Sequence, residues 1–252
     1  MSVNSPGTEP AVVLRGLRKY YRDETGRQFA AVDGLDLEIE AGTVYGLLGP
    51  NGAGKTTTLK ILATLTEADA GEVRIAGVDR QRDPLGVRER LAWVPAEAGL
   101  AERLSPRESV RLFARIQGVS DPEAAADRWL ARLGASGFAD RPNGSLSTGM
   151  KRRVVLARAL VHDPAVVLLD EPTDGLDVSG RRDVLALVRG LAEGGRTVIL
   201  SSHILSEVQK IADRVGLVTR GRLIAEGTVA EVLARSDTTD LDAAFLALTE
   251  GP

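Results

Sequence analysis

The sequence predicts an α/β fold: a mixed sheet, an N-terminal antiparallel β sub-sheet and an inserted block of α-helices. Three observations carry this expectation. Strict two-residue alternation marks half-exposed strands near the N-terminus, as in "LDLEIEAG". Runs that are apolar on both faces, "TVYGLLG" and "AVVLLDE", suit strands buried within a parallel sheet. From about Leu104 the apolar period becomes helical, and strands resume only at Ala165.

In chain order, "MSVNSPGTEP" is a polar tail, 1–10, without the apolar stretch of a signal peptide. "AVVLRGLRKYY" alternates, and in "LDLEIEAG" Leu35, Leu37 and Ile39 face one way while Asp36, Glu38 and Glu40 face the other. This predicts an antiparallel strand ending at Gly42. "TVYGLLG" is the buried strand, followed by a glycine-rich turn and a helix over about Lys55 to Leu65. "GEVRIAG" is another short alternating strand. Ser105, Pro106 and Glu108 form a capping box with proline at the first helical position, and Val110, Leu112, Phe113 and Ile116 recur at helical spacing. Asp121-Pro122 opens a second helix through Trp129, Leu130 and Leu133. "AVVLLDE" and "TVILSSH" are strands, "VGLVTRGRLIAEG" a final pair turning near Gly221, and "LDAAFLAL" a short helix.

The 252 residues are 43% hydrophobic and 27% charged, enough for one large domain with a sub-domain. A net charge of −3 gives no basic field, so no nucleic-acid partner is expected. Cysteine is absent, which excludes a disulfide scaffold, a thiol nucleophile and a cysteine zinc site. No apolar run approaches the roughly 18 residues that span a bilayer. Work at a membrane is therefore expected to need a partner that holds the chain there.

The chemistry is concentrated in a few short stretches. Gly49, Pro50, Asn51, Gly52, Ala53, Gly54, Lys55 and Thr56 satisfy G-x-x-x-x-G-K-[ST] between a buried strand and a helix, and Thr57 follows. The glycines let backbone N–H groups converge on phosphate, and the helix N-terminus adds partial positive charge. Lys55 is expected to reach the β- and γ-phosphates and Thr56 to ligate Mg2+. In "AVVLLDE", Asp170 emerges from the end of a buried strand and is the second metal ligand expected. Glu171, next to it, is placed to take a proton from attacking water. These stretches predict a P-loop NTPase with Mg2+ beside the phosphates, and no more.

A third stretch narrows the reading. "GSLSTGMKRRVVLARALVHDP" places Leu146-Ser147-Thr148-Gly149-Met150 before a cationic, apolar-striped helix. Here the sequence resembles the ATP-binding subunits of ABC transporters, whose signature loop usually reads LSGGQ and here reads LSTGM. "EPTDGLD" resembles the family's D-loop, and "SSHILSEV" places His203 at the switch histidine. The resemblance runs from about Ala11 to Leu248. It implies an ABC ATPase domain over 11–235, a helical signature subdomain over about 95–160 and a helical C-terminal tail over 236–252. It also implies a homodimer with two ATP molecules sandwiched between copies. Ser147 and Gly149 then contact the γ-phosphate held by the other copy, Asp177 organises the seam, and His203 positions water beside Glu171. The adenine-stacking residue lies at the spacing of Tyr21, with Tyr20 as the alternative. His162 has no such placement and reads as a helix C-terminal residue.

One position departs from the family. Aligned on Val94-Pro95, the usual glutamine becomes Ala96, which offers no side chain to metal or water. Glu97 is next in line, read here as an exposed loop acid. Ala96, LSTGM and "GLAERLSPRE" resemble the sodium-extrusion type of subunit, with drug- and polysaccharide-export relatives of the ABC-2 group as alternatives. The function implied is an ATPase that powers an integral-membrane exporter from the cytoplasmic face, Trp93 to about Arg115 lying in the groove for the partner. The alternative is an ATP-driven switch on a protein or nucleic-acid assembly, or on a membrane complex that does not transport. A single unit, with too short a stretch between Lys55 and Ser147 for a coiled coil, disfavours the switch on a protein or nucleic-acid assembly and leaves the non-transport membrane complex open.

Overall fold

The computed structural model describes residues 9–250, so most of the N-terminal tail expected over 1–10 lies outside the described residues. A four-stranded antiparallel sheet forms from β1 (Val12–Arg22), β2 (Gln28–Ile39), β4 (Ala70–Ile75) and β5 (Val78–Asp79), in the order β2-β1-β4-β5. The expected alternation holds: Leu35, Leu37 and Ile39 are buried, and Asp36, Glu38 and Glu40 are exposed. β2 starts earlier than the alternation suggests and ends at Ile39 rather than Gly42. The Asp23–Gly26 turn folds it back on β1, so Tyr21 pairs with Phe29.

The second sheet contains β3 (Val44–Leu48), β6 (Leu91–Val94), β7 (Val166–Leu169), β8 (Thr197–Ser202), β9 (Arg214–Thr219) and β10 (Arg222–Thr228). Its order is β10-β9-β3-β8-β7-β6, parallel except for the antiparallel β9–β10 edge. Every residue of β3, β7 and β8 is buried. Their side chains alternate between two cores: Val166 and Leu168 pack towards the antiparallel sheet, while Val167 and Leu169 pack towards the helices. Burial on both faces is why these runs carry no polar alternation.

α1 (Lys55–Leu62) follows β3 and α2 (Pro84–Arg90) follows β5. α1 stops three residues before the expected Leu65. Thr64 takes a left-handed φ of 60°, and the Leu65 N–H turns back to the Lys60 carbonyl at 2.9 Å, a cap that closes the helix. α3 (Pro106–Ile116), α4 (Pro122–Arg132) and α5 (Thr148–Leu160) form the inserted block, and the Ser105–Glu108 capping box is present. The apolar face expected for α3 divides. Val110 is buried, whereas Leu112 is 46% exposed and Ile116 67%, so periodicity marked an apolar face that this chain leaves uncovered.

α6 (Val178–Glu193), α7 (Leu205–Val208), α8 (Val229–Ser236) and α9 (Leu241–Glu250) complete the chain. α8 crosses the boundary expected at 235/236. α9 buries Leu241 and Ala244 in the main core, so it belongs to that core and is not a separable tail.

Candidate nucleotide-binding site

The Gly49–Thr56 loop links β3 to α1 at the carboxyl end of the parallel strands, where ligands bind in open α/β sheets. Gly54 has φ 102°, and a Cβ there would lie 2.1 Å from the Ala31 carbonyl oxygen. A Cβ on Gly49 would lie 2.0 Å from the Val218 carbonyl oxygen. Only glycine fits either position. The Gly221 N–H donates to the Ala53 carbonyl at 2.9 Å, which pins the loop to the β9–β10 turn. No side chain caps the N-terminus of α1, so its amides are free for an anion. The Lys55 side chain is 5% exposed. It donates to the Gly49 and Pro50 carbonyls at 2.7 and 3.1 Å and stands 3.2 Å from Glu171 Oε1.

Asp170, 4% exposed, leaves β7 with its N–H bonded to the Val94 carbonyl of β6. Its Oδ1 accepts from Thr56 Oγ1 at 3.1 Å and from Ser201 Oγ at 2.6 Å. The same Ser201 hydroxyl accepts the Glu171 N–H at 2.9 Å. One buried side chain on β8 therefore ties both acids together, and sequence reasoning missed it. Glu171 adopts φ 43°. A non-glycine residue there costs of order 1–3 kcal/mol and persists only when its surroundings over-determine it. They do: its other carboxylate oxygen, Oε2, lies 2.8 Å from His203 Nδ1 and accepts the His203 N–H at 3.3 Å. Its carbonyl accepts from Arg152 at 3.3 Å.

A cavity of about 270 Å³ lies over the loop, lined by Asn51 to Thr57, Glu171, Ala31, Tyr21 and Phe29. The Tyr21 and Phe29 ring centroids are 6.2 Å apart at 37°, and Lys19 Nζ lies 5.5 Å from the Tyr21 centroid. Both rings are exposed. Tyr20, the alternative, is one residue along the pleat; its hydroxyl lies 3.5 Å from Arg18 and it does not line this cavity. Phe29 is the second missed residue. The signal for it was the hairpin turn "DETG", which sets Phe29 opposite Tyr21.

The remaining expected residues lie elsewhere. Ser147 caps α5 by accepting the Met150 N–H at 3.3 Å, and a Cβ on Gly149 would meet nothing within 4 Å. Asp177 caps α6 through the Gly180 N–H at 2.7 Å. None of the three lines the cavity. Ala96 and Glu97 are exposed, and the Ala96 carbonyl accepts from Arg152 at 3.4 Å. His162 follows α5, as expected. Its Nε2 lies 3.3 Å from the Leu91 carbonyl oxygen, and burial pushes its pKa below the ordinary value. A separate groove of about 440 Å³ is lined by Leu65, Trp93, Phe113, Gln117, Arg158 and His162 among others.

The ABC transporter family pattern matches residues 32–174, more than half of the chain. The chain belongs to the ABC transporter family. The chain is 41% identical over 236 residues to the daunorubicin resistance ATP-binding protein DrrA3 of Streptomyces coeruleorubidus, covering 93% of this chain and 73% of that one. It is 42% identical over 216 residues to the Nod factor export ATP-binding protein I of Burkholderia lata, covering 85% and 69%. Among solved structures, a dimeric ATP-binding cassette in a post-hydrolysis state, bound to ADP and Pi, superposes with a TM-score of 0.76 at 25% identity, covering 86% and 98%. This ABC subunit is thus an ATP-binding, ATP-hydrolysing P-loop protein, with a mixed sheet, an antiparallel sub-sheet and added helices.

Proposed function

We propose that the chain is one half of a homodimer that encloses two ATP molecules and powers an exporter through an integral-membrane partner. The observation that carries this reading is a separation. At the N-terminus of α5, an anion-binding element, Ser147 is exposed and Gly149 half-buried, yet neither lines the cavity around Lys55. A second copy is the natural source of the phosphate they bind. The post-hydrolysis dimer to which the fold is similar supports this.

In each half-site the phosphate loop and the α1 amides hold the phosphates. Lys55 exchanges its loop carbonyls and Glu171 for phosphate oxygens. Tyr21 and Phe29 give the base an aromatic face. Thr56 and Asp170 present two hard oxygens 3.1 Å apart beside Lys55. This set fits Mg2+, which takes few protein oxygens and completes its shell with phosphate and water. When bound, the ion neutralises phosphate charge. Glu171, held by His203, takes the proton of the attacking water, and Asp177 shapes the seam.

Among the described residues no helix is long and apolar enough to cross a membrane. The groove beside Trp93 and Phe113, with the exposed Leu112 and Ile116 on α3, is the docking surface for the membrane subunit at the cytoplasmic face. That partner selects the cargo, and reconstituted complexes offered sodium ion or an amphipathic drug separate the two cargo classes.

Glu171→Gln tests the central claim. With Mg2+ and ATP, the particle mass is expected to double from 26.7 kDa by light scattering, while turnover falls about 10²–10⁴-fold. A mass that stays single at saturating ATP removes the shared-phosphate reading, and wild-type turnover removes Glu171 as the base.

A further inference from the structure

The family's usual glutamine is absent at position 96, yet the segment that carries Ala96 is firmly tied to the catalytic strand end. The tie is Arg152, in the second turn of α5. Its guanidinium reaches three carbonyls from two separate segments: Nη1 to Ala96 at 3.4 Å, Nε to Pro172 at 3.1 Å and Nη2 to Glu171 at 3.3 Å. Arg158, on the same helix, adds a bond from Nη1 to the Gly99 carbonyl at 3.0 Å.

We infer that Arg152 is a positioning residue for Glu171, and that it links the 96–99 segment and the signature helix to the catalytic acid by way of main-chain carbonyls. A guanidinium presents five donors in a fixed planar fork, so it can fix successive carbonyls in one orientation; an ammonium cannot. The peptide planes it holds are those that follow Glu171, the residue with φ 43°. The Glu171 N–H is fixed by Ser201, its carboxylate faces Lys55 and His203, and its carbonyl is fixed by Arg152. Remove Arg152 and the carboxylate keeps its partners, but the backbone that aims it is released. Any shift of α5 relative to the sheet pulls directly on that backbone. Arg152 thus gives the chain a route between signature helix, 96–99 segment and catalytic acid that needs no side chain at position 96.

This rests on the reading of Glu171 as the base, and the experiment separates the two. Steady-state ATPase and fluorescent-ATP binding are measured on the full chain for Arg152→Ala, Arg152→Lys, Glu171→Gln and the Arg152→Ala/Glu171→Gln double variant. Arg152→Ala is expected to lower kcat by 10- to 100-fold with the ATP Kd within about threefold of wild type. Arg152→Lys is expected to keep the wild-type Tm within a few degrees without restoring kcat, and it carries the test if Arg152→Ala does not fold. Single-turnover cleavage by the double variant is expected to match Glu171→Gln alone, since Arg152 acts through a group already removed. A kcat within twofold of wild type for Arg152→Lys overturns the inference. So does an undiminished Arg152→Ala effect in the Glu171→Gln background, or a rise in Kd that accounts for the lost activity. If Glu171→Gln itself turns over normally, the base assignment has failed instead.

Discussion

Ser201→Ala removes a single hydroxyl, and the structure indicates why the loss is large. The side chain is 0% exposed and serves two partners at once, donating to Asp170 Oδ1 at 2.6 Å and accepting the Glu171 N–H at 2.9 Å. A hydrogen bond to a charged group contributes about 1.5–3 kcal/mol, and a buried N–H left without a partner costs about 1–3 kcal/mol. The two terms share one atom and do not add in full. The expected destabilisation is therefore about 2–4 kcal/mol. For a chain of this size each kcal/mol moves Tm by roughly 2–4 °C, which places the fall at about 4–16 °C. Calorimetry of wild type and variant measures it. Because Asp170 is the proposed metal ligand, the Mg2+ concentration for half-maximal ATPase activity is expected to rise as well. A Tm within 1 °C of wild type together with an unchanged Mg2+ requirement refutes the reasoning, since it means the hydroxyl holds neither acid.

Two further outcomes follow from particular groups. Tyr21→Ala is expected to weaken ATP binding by roughly 5- to 150-fold, the size of one base stack of about 1–3 kcal/mol, and Phe29→Ala to act in the same direction. Fluorescent-nucleotide titration checks this, and wild-type affinity in both variants removes the aromatic face from the base site. His162 is depressed by burial, against the smaller opposing effects of the Leu91 carbonyl and Asp163. The unfolded chain then takes up its proton first as pH falls through about 6.5, and stability declines from there down to the folded value. His162→Gln is expected to flatten the dependence of Tm on pH between 7 and 5, and an unchanged slope shows that the buried ring is not responsible.

How much of the site could be read in advance depended on whether its residues are neighbours in sequence. The phosphate loop was legible because Gly49 to Thr56 are contiguous and their glycines answer to local backbone demands. Asp170 and Glu171 were legible because a buried parallel strand has no other reason to end in two acids. Ser201 was hidden: a serine at the end of "TVILSS" looks like any other, and its value arises only when β8 pairs with β7. Phe29 was hidden for the opposite reason. "QFAAV" has no clean alternation, because the register shift between Lys19 and Tyr20 leaves Ala31 as an extra residue in β2. Leu112 and Ile116 show a further limit. Periodicity reports that a face is apolar, and cannot report whether this chain or another covers it.

The apolar residues left exposed on α3, the exposed Ser147 at the N-terminus of α5 and the aromatic pair over the phosphate loop are each unexplained by the needs of folding. Burial already satisfies the sheet, whose central strands are closed on both faces. The unmatched surfaces sit on the inserted helices and at the carboxyl edge of the strands. Arg152 and Arg158 fasten the segment between them to α5 by main-chain carbonyls. On the proposed dimer reading, a phosphate held at the end of α5 pulls on a helix bonded to the Glu171 carbonyl and to the segment leading to the groove. Rigid coupling of this kind lets one binding event be felt at both places, because packed elements shift as units and deform little within themselves.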